Sequence, residues 1–322
     1  MSKIDVIGYS SSDVDIVLMV NQLPSYDDKI PGALIGRLPG GTMANYACAI
    51  SRLGIKSGWT GSLGDDAEAQ IVLKGFQEFG VDTSTIRILK NTATMFTVIL
   101  VDDTGERAIV VVPTFKEPDK LTAEQQKAIA EARLLYTGPY KEIPFFEAAQ
   151  WARKHDTLVA IDIERTSHLT APEIDEILAN IDVVILNQAM LPELYGISFK
   201  EVSDWTSVGD LLRREVIKHR LLYGAVTLGH LGCILADSKQ SCFCPGYRVK
   251  VVDTTGAGDC FNSAFTFGVL QSWKLEDIGL FSNAAGAISV DSYGARGHLP
   301  KYDEVKKFMA GNQPDGKILF QR

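Results

Sequence analysis

A glycine-rich turn that ends in a carboxylate is the part of the sequence best suited to chemistry, and it reads Asp253-Thr254-Thr255-Gly256-Ala257-Gly258-Asp259. Gly256 and Gly258 allow the backbone to turn tightly and to approach a ligand closely. An apolar helical pattern follows at Cys260–Leu270. The unpaired N–H groups in the first turn of a helix attract anions, so the turn predicts an anion site. From this pattern alone, Asp259 could either stabilise the helix start or act as a base.

Two widespread phosphate-binding patterns are absent from the sequence. No GxxxxGK[ST] loop occurs anywhere, and no GxGxxG follows the first predicted strand. The P-loop and the dinucleotide-binding fold are therefore excluded as the context of the glycine-rich turn.

The elements that would position this turn alternate between short β-branched runs and amphipathic helical patterns. The predicted strands are Ile4–Ile7, Leu134–Tyr136, Leu158–Ile161, Val183–Leu186, Ala225–Leu228 and, directly before the turn, Arg248–Val252. The predicted helices are Met43–Leu53, Ala67–Phe79, Ala123–Ala132, Phe145–Lys154, Pro172–Leu178 and Val208–His219. Such alternation predicts an α/β fold with a central, mostly parallel sheet between two helical layers. Since no long linker or internal repeat interrupts the 322 residues, we expect a single domain, 1–322.

Four strand-like segments without intervening helices break this rhythm: Asp15–Val20, Lys29–Leu38, Thr94–Val101 and Arg107–Val112. The last two flank Asp102-Asp103-Thr104-Gly105, a sequence typical of a hairpin turn. These segments, at about 12–38 and 94–113, predict a small sheet that projects from the main body as a lid. Proteins often bury exposed strands by pairing, so we also expect a homodimer formed through this lid.

Composition and charge limit the classes of partner that we expect. Apolar residues make up 46% of the chain and the net charge is -8, which argues against a nucleic-acid partner. No apolar stretch reaches the about 20 residues that span a bilayer, and no signal-peptide pattern follows Met1, so we expect no membrane association and a cytoplasmic location. Five cysteines without paired spacing predict reduced thiols. The polar end, Gly311–Arg322, is predicted to fray.

Three further motifs accompany the glycine-rich turn: PGGTMAN at Pro39–Asn45, WTGSLGDD at Trp59–Asp66 and NAAGAISVDSYG at Asn283–Gly294. In this order and spacing, the four motifs resemble the ribokinase, or PfkB, family of carbohydrate kinases nearly end to end. The resemblance implies a ribokinase-like three-layer fold with a small β-sheet lid. It also implies ATP-dependent transfer of a phosphoryl group to a hydroxyl of a sugar, with Mg²⁺ bound to the ATP.

The resemblance assigns roles to the turn. Gly256, Ala257 and Gly258 match the family's anion hole, which holds the transferring phosphate, and Asp259 matches its catalytic base. The physics agrees, because phosphoryl transfer needs positioning and charge stabilisation, which backbone N–H groups supply. A carboxylate can take the proton of the attacking hydroxyl.

On the acceptor side, Gly40, Gly41 and Asn45 match the family's sugar-contacting element. An acidic residue after the first strand also holds substrate hydroxyls in this family. Asp13 and Asp15 compete for that role here, and the spacing to the next proline favours Asp15.

On the nucleotide side, Thr227, Gly229 and Gly232 lie in TLGHLG, which resembles the family's turn beside ATP. Asn283 resembles a residue that lines the adenine pocket. Asn187 matches the start of an element that in this family usually reads Asn-x-x-Glu and organises Mg²⁺ through water.

Two positions bear on metal ions. Met190 stands where the family has the Glu of that element, and Glu193, one helical turn further along, could replace it. Asp253 matches a residue that in some members helps to hold a monovalent cation such as K⁺, although it could equally stabilise the turn.

The acceptor itself is the least determined part. Relatives that accept phosphorylated sugars present Arg or Lys to the extra phosphate, and Tyr136–Lys141 contains no Arg, with Lys141 and Arg107 as substitutes. We therefore expect an unphosphorylated sugar.

Two alternatives stay open. A nucleoside kinase would need an aromatic shelf for a base, which Tyr9, Tyr46 or Phe96 could form. A catalytically weak sugar-binding or regulatory protein is favoured only by Met190.

Overall fold

The middle layer of the protein is a nine-stranded sheet. The computed structural model describes residues 3–10, 12–141, 143–164 and 169–321, so Met1, Ser2 and Arg322 of the predicted domain lie outside the described residues. The strand order is β15-β14-β13-β12-β11-β10-β9-β1-β4. The six strands from β12 to β4 pair in parallel, and β13, β14 and β15 add an antiparallel edge. The strands are β1 Val6–Tyr9, β4 Ser57–Thr60, β9 Leu134–Thr137, β10 Leu158–Ile163, β11 Val183–Asn187, β12 Tyr223–Thr227, β13 Gly232–Ala236, β14 Ser241–Pro245 and β15 Leu319–Gln321.

Helices cover both faces of this sheet. They are α1 Thr42–Arg52, α2 Ala67–Glu78, α3 Ala123–Glu131, α4 Phe145–Lys154, α5 Ala171–Ala179, α6 Met190–Tyr195, α7 Trp205–His219, α8 Ala257–Leu270, α9 Leu275–Ser289 and α10 Tyr302–Gly311. One apolar cluster joins the sheet to α3–α7, and another joins its opposite face to α1, α8, α9 and α10. Within the described ranges, no helix combines the length and the apolar character that a bilayer crossing needs.

Successive strand residues divide between these two clusters. Leu135 and Val159 are buried against α3–α7, whereas Leu134 and Ala160 are buried on the other side. Strands buried on both faces are apolar throughout, which explains the continuous runs in the sequence. The predicted three-layer α/β fold is confirmed.

The predicted small sheet is present as four strands in the order β3-β2-β7-β8. They are β2 Asp13–Val20, β3 Gly32–Pro39, β7 Met95–Val101 and β8 Arg107–Val112. Two shorter strands, β5 Ser62–Gly64 and β6 Arg87–Leu89, pair separately. The β7–β8 connection is the predicted hairpin, in which Asp102 Oδ1 accepts from the backbone N–H of Thr104 (2.9 Å) and of Glu106 (3.0 Å).

Two local predictions were wrong. Residues 248–252 form no strand: the preceding strand ends at Pro245, and the N–H of Val252 donates to the carbonyl of Val290 (2.7 Å) at the end of α9. Val251 and Val252 are 55% and 39% exposed instead of buried. The C-terminal end does not fray as a whole either, because Leu319–Gln321 pairs antiparallel with β14. An edge strand that pairs with a segment far away along the chain leaves little local signal in the sequence.

Candidate active site

The glycine-rich turn forms the start of α8. Gly256 precedes the helix with a φ of 77°, in the left-handed region. A Cβ at this position would lie 2.6 Å from the Cα of Ala295, so the turn requires glycine for both reasons. Beside Gly258, by contrast, a Cβ would meet nothing within 4 Å, so the backbone is open on this side.

The first amide groups of α8 are divided in their bonding. The N–H groups of Ala257 and Cys260 donate to the carbonyls of Thr254 and Gly256. Those of Gly258 and Asp259 have no partner among the hydrogen bonds of the described residues. Two N–H groups without a partner among the described residues, at the positive end of a helix, could bind an anion, so the anion site stays a prediction.

Asp259 lies in this first turn and is 7% exposed. Burial raises the pKa of its carboxyl well above the ordinary value, and the nearby charges of Glu164 and Asp162 raise it further. The hydrogen bond from Asn45 Nδ2 to Asp259 Oδ2 (2.9 Å) and the charge of Arg296 lower the pKa and so favour the carboxylate. A carboxylate held between these influences suits a proton acceptor.

Asn45 brings the N-terminal motif to the same place. It lies in the first turn of α1, which follows Gly41 (φ 93°), and it is buried. Its Oδ1 accepts from Arg296 Nε (2.8 Å), and Arg296 Nη2 also donates to the carbonyl of Gly40 (3.3 Å). One guanidinium therefore fixes both the predicted sugar-contacting loop and the amide that bonds to Asp259.

Sequence reasoning missed Arg296. It lies in Gly294-Ala295-Arg296-Gly297, directly after the motif that ends at Gly294. An arginine between closely spaced glycines is a weak sign that its side chain is needed at a fixed place. Its target on α1 is 251 residues away along the chain.

Both candidate acceptor carboxylates face the loop at Gly40. A Cβ on Gly40 would lie 2.7 Å from Asp13 Oδ1 and 2.7 Å from Asp15 Oδ2, so only glycine fits between them. Asp13 Oδ2 accepts from Thr97 Oγ1 (2.7 Å), while its buried Oδ1 has no partner among the described residues. Burial and then the Asp13 charge raise the pKa of Asp15 to about 7, against the lowering effect of Arg296. Burial likewise raises the pKa of Asp13.

A buried polar network lies behind Asp259. Asn262, three residues further along α8, donates from Nδ2 to Asp162 Oδ2 (2.7 Å) and to the hydroxyl of Tyr136 (2.8 Å). Burial, followed by the charge of Glu164, raises the pKa of Asp162 well above its ordinary range. Sequence reasoning did not single out this network.

The predicted nucleotide-side residues gather at the ends of β11 and β12. Asn187 and Thr227 are paired in register, and the turn with Gly229 and Gly232 follows. A Cβ on Gly232 would lie 2.1 Å from the carbonyl oxygen of Cys244, so this glycine is required by the approach of β14. Parallel strands that end side by side are where ligands bind in open α/β sheets.

The side-chain amide of Asn283 is hydrogen-bonded to the backbone of β14. Its Nδ2 donates to the carbonyls of Cys244 (2.9 Å) and Pro245 (3.0 Å), which ties α9 to β14. The side chain is buried. Its amide therefore shapes the end of β14.

Comparison with known proteins decides the family. A family model described as pfkB family carbohydrate kinase matches residues 1–302. The chain belongs to this family. The ribokinase of Lactococcus lactis is 29% identical over 319 residues, which cover 95% of this chain and 96% of the relative. The aminoimidazole riboside kinase of Salmonella typhimurium is 27% identical over 332 residues, which cover 97% and 96%.

Solved structures agree on the fold. The ribokinase of Arabidopsis thaliana complexed with ribose and ATP superposes with a TM-score of 0.80 at 22% identity, covering 95% of this chain and 99% of that one. The predicted ribokinase-like fold and the predicted enzyme class, a carbohydrate kinase, are confirmed.

The pfkB-type turn is linked to the small sheet. Asp253 accepts from the N–H (3.0 Å) and hydroxyl (2.7 Å) of Thr255 and from the N–H of Gly294 (2.9 Å). Arg107, on β8, donates from Nη1 to Thr255 Oγ1 (2.7 Å) and lies 4.0 Å from Asp253. Asp253 therefore braces the turn, and Arg107 is directed at the turn and not at the acceptor carboxylates.

The departure from the pfkB pattern at Met190 has a packing explanation. Met190 is 4% exposed and belongs to the core against α3–α7, so this position is structural here. Glu193 lies on the exposed side of α6. Within the described ranges, the one group of three residues close enough to hold a metal ion contains neither Glu193 nor Asp253.

Proposed function

We propose that this chain transfers the γ-phosphoryl group of ATP to a hydroxyl of an unphosphorylated sugar, with Asp259 as the base and the Gly256–Gly258 turn as the anion hole. The observation that carries the proposal is the position of Asp259. Its buried carboxylate accepts a hydrogen bond from Asn45, and it lies at a helix start where the N–H groups of Gly258 and Asp259 have no partner among the described residues. Proton acceptor and anion site thus meet within one helical turn.

Each part of the chain then has a task. Asp15, the backbone at Gly40 and Gly41, and Asn45 would orient the acceptor so that one hydroxyl faces Asp259. Asp259 would take the proton of that hydroxyl. The N–H groups of Gly258 and Asp259 would stabilise the charge that develops on the phosphoryl oxygens. ATP with Mg²⁺ supplies the phosphoryl group, and the free N–H groups and open backbone beside Gly258 fit an anionic group there.

Charge supports an acceptor without its own phosphate. Asp13 and Asp15 both face the sugar-contacting loop, and two carboxylates would repel a second anion. Arg107, a candidate to contact a phosphate on the acceptor, bonds to Thr255 instead.

Two of the three rings that could form an aromatic shelf for a nucleoside base are buried in the core. Tyr9 and Tyr46 are buried in the core, at 1% and 0% exposure. The ring of Tyr46 stacks on Tyr136 with centroids 3.5 Å apart, and its hydroxyl bonds to Thr266. Phe96 alone remains on the small sheet, and a single ring is a poor platform for a base.

The direct test is a panel of acceptors assayed with Mg-ATP for ADP formation. We expect the highest kcat/KM for one or a few unphosphorylated pentoses or hexoses, and lower values for their phosphates and for nucleosides. Highest values for a nucleoside would overturn the proposed acceptor class. Sugar binding without any ADP formation would instead identify a non-catalytic sugar-binding protein.

The choice between Asp13 and Asp15 is open to a paired test. We expect Asp15→Asn to raise the acceptor KM about tenfold, since a hydrogen bond to a charged group is stronger than one to an amide by roughly that factor. The KM for ATP should not change. Asp13→Asn, the matched control, should have the smaller effect because Asp13 already accepts from Thr97. The reverse order would assign the acceptor contact to Asp13.

The same assignment predicts a pH dependence. Because the pKa of Asp15 is about 7, the fraction ionised rises as the pH rises through this value. The acceptor KM of the wild-type protein should fall over that range, and the KM of Asp15→Asn should not.

We also propose that Mg²⁺ binds with ATP, organised with help from Asn187 or Glu193, that K⁺ binds near Asp253, and that adenine lies near Asn283. Thr227, Gly229 and Gly232 would lie beside ATP. A single domain and a cytoplasmic location stay predictions. A homodimer through the small sheet has physical support. Its edge strands expose large apolar side chains: Leu34, Ile35, Leu38, Ile109, Val110 and Val111. Large exposed apolar side chains grouped on a sheet edge are what an interface would bury.

A further inference from the structure

A cluster of metal-ligand side chains lies where α5 and α7 meet, on residues that the proposed reaction does not use. His219, at the end of α7, has a side chain that is 6% exposed. Its Nε2 lies 3.3 Å from Asp175 Oδ1 on α5 and 3.3 Å from Glu215 Oε2, one turn earlier on α7. Nevertheless, this buried nitrogen makes no hydrogen bond within the described part of the chain.

The missing hydrogen bond makes the geometry unusual. A protonated ring nitrogen would point its hydrogen at one of the two oxygens, and an unprotonated one would be repelled by both. A buried polar atom without a partner is costly unless something else satisfies it. A cation between the three atoms would satisfy the nitrogen and both oxygens together.

The separations suit a small divalent ion. Zn²⁺ binds imidazole nitrogen at about 2.0–2.1 Å and carboxylate oxygen at about 2.0–2.2 Å in tetrahedral geometry, which sets neighbouring ligand atoms about 3.3–3.5 Å apart. Both N···O separations at His219 have this length. All three ligand atoms lie within 4.8 Å of one another, so only the two carboxylates would need to approach slightly.

We propose that Asp175, Glu215 and His219 bind a divalent transition-metal ion of the Zn²⁺ class, which joins α5 to α7. One imidazole and two carboxylates form a three-ligand set that leaves a fourth position for water. The hard ion Mg²⁺ prefers all-oxygen sites with octahedral geometry, so it should not compete well here. The ion would compete with Lys218, whose Nζ lies 2.7 Å from Asp175 Oδ1.

The test titrates ZnCl₂ into the chelator-treated full chain and follows binding by calorimetry and the unfolding temperature by scanning. We expect one bound equivalent and a higher unfolding temperature. His219→Gln and Glu215→Gln should each abolish that binding. Lys218→Met should tighten it by up to about fivefold, because an exposed ion pair contributes little and its ammonium is displaced by the metal.

His298→Gln is the matched control. His298 also lies between two carboxylates, but Asp291 contacts its Nδ1 and Glu304 its Nε2, so the two acids cannot share one ion with a single nitrogen. This variant should bind Zn²⁺ like the wild type. Absence of binding to the wild type, or binding that survives both ligand variants, would overturn the proposal. Circular dichroism of each variant shows that a lost isotherm does not come from unfolding.

Discussion

Replacing Asp259 by Asn is expected to lower kcat by about 10²- to 10⁴-fold, the range that a positioned general base contributes. Asn has the same shape but cannot take the hydroxyl proton. It can still accept a hydrogen bond from Asn45, which now reaches Asp259 over 2.9 Å, so the site should keep its form. We therefore expect sugar and ATP to bind with nearly unchanged affinity, measured by calorimetry, while ADP formation falls.

The pH dependence of kcat in the wild-type protein should also report Asp259 as the base. Because burial raises the pKa of Asp259, the base is protonated, and kcat falls, at a higher pH than for an ordinary carboxylate. Turnover near the wild-type value in Asp259→Asn would end the assignment of this residue as the base.

Asp162→Asn is the matched control, since it removes a neighbouring buried carboxylate. An amide at this position can keep the bond from Asn262 Nδ2 through its oxygen. Most of the turnover should remain. Since the Asp162 charge raises the pKa of Asp259, the acid limb of kcat should move to lower pH in this variant.

Local sequence was enough to predict the glycine-rich turn and the helix start that follows it, because both depend on backbone conformation. Gly256 and the start of α8 follow from glycine geometry and helix-end physics, which act over a few residues. The parallel strands were equally visible, because burial on both faces leaves continuous apolar runs. In these places, local preference and tertiary structure agree.

Contacts between distant segments were beyond such reasoning. The valines before the turn suggested a strand, but the N–H of Val252 bonds to the carbonyl of Val290 at the end of α9. Leu319–Gln321 became a strand only because β14 offers an edge. Asn283 was predicted to line the adenine pocket, and its amide donates to two backbone carbonyls of β14 that the motif does not indicate.

Arg296 is the most consequential residue of this kind, and Arg296→Ala is expected to have the second-largest effect. The change leaves the buried Oδ1 of Asn45 without its donor, now 2.8 Å away, and removes a donor from the carbonyl of Gly40, which still accepts from Ser12 Oγ (3.1 Å). An unsatisfied buried group of this type typically costs about 1–3 kcal/mol, so a reduction of kcat/KM of roughly 10- to 100-fold is expected if that cost falls on the reacting geometry.

A pH profile separates this positioning role from a general loss of stability. The charge of Arg296 lowers the pKa of Asp259, so its removal should raise that pKa and move the acid limb of kcat to higher pH. Arg296→Lys retains a charge without the planar fork. Compared with Arg296→Ala, this variant should bring the acid limb of kcat closer to its wild-type pH than it brings kcat/KM to its wild-type value. The reason is that a lysine cannot bond to Asn45 and Gly40 in the same geometry.

Arg52→Ala tests whether the expected effect is specific to Arg296. Arg52 lies on α1, like Asn45, and donates from Nε to the carbonyl of Leu299 (3.1 Å), three residues beyond Arg296. Its loss weakens the same junction between α1 and the C-terminal segment without touching Asn45 or Asp259. If Arg52→Ala moved the acid limb as far as Arg296→Ala does, the effect would belong to the junction, and Arg296 would lose its role as the residue that sets the amide of Asn45 against the base.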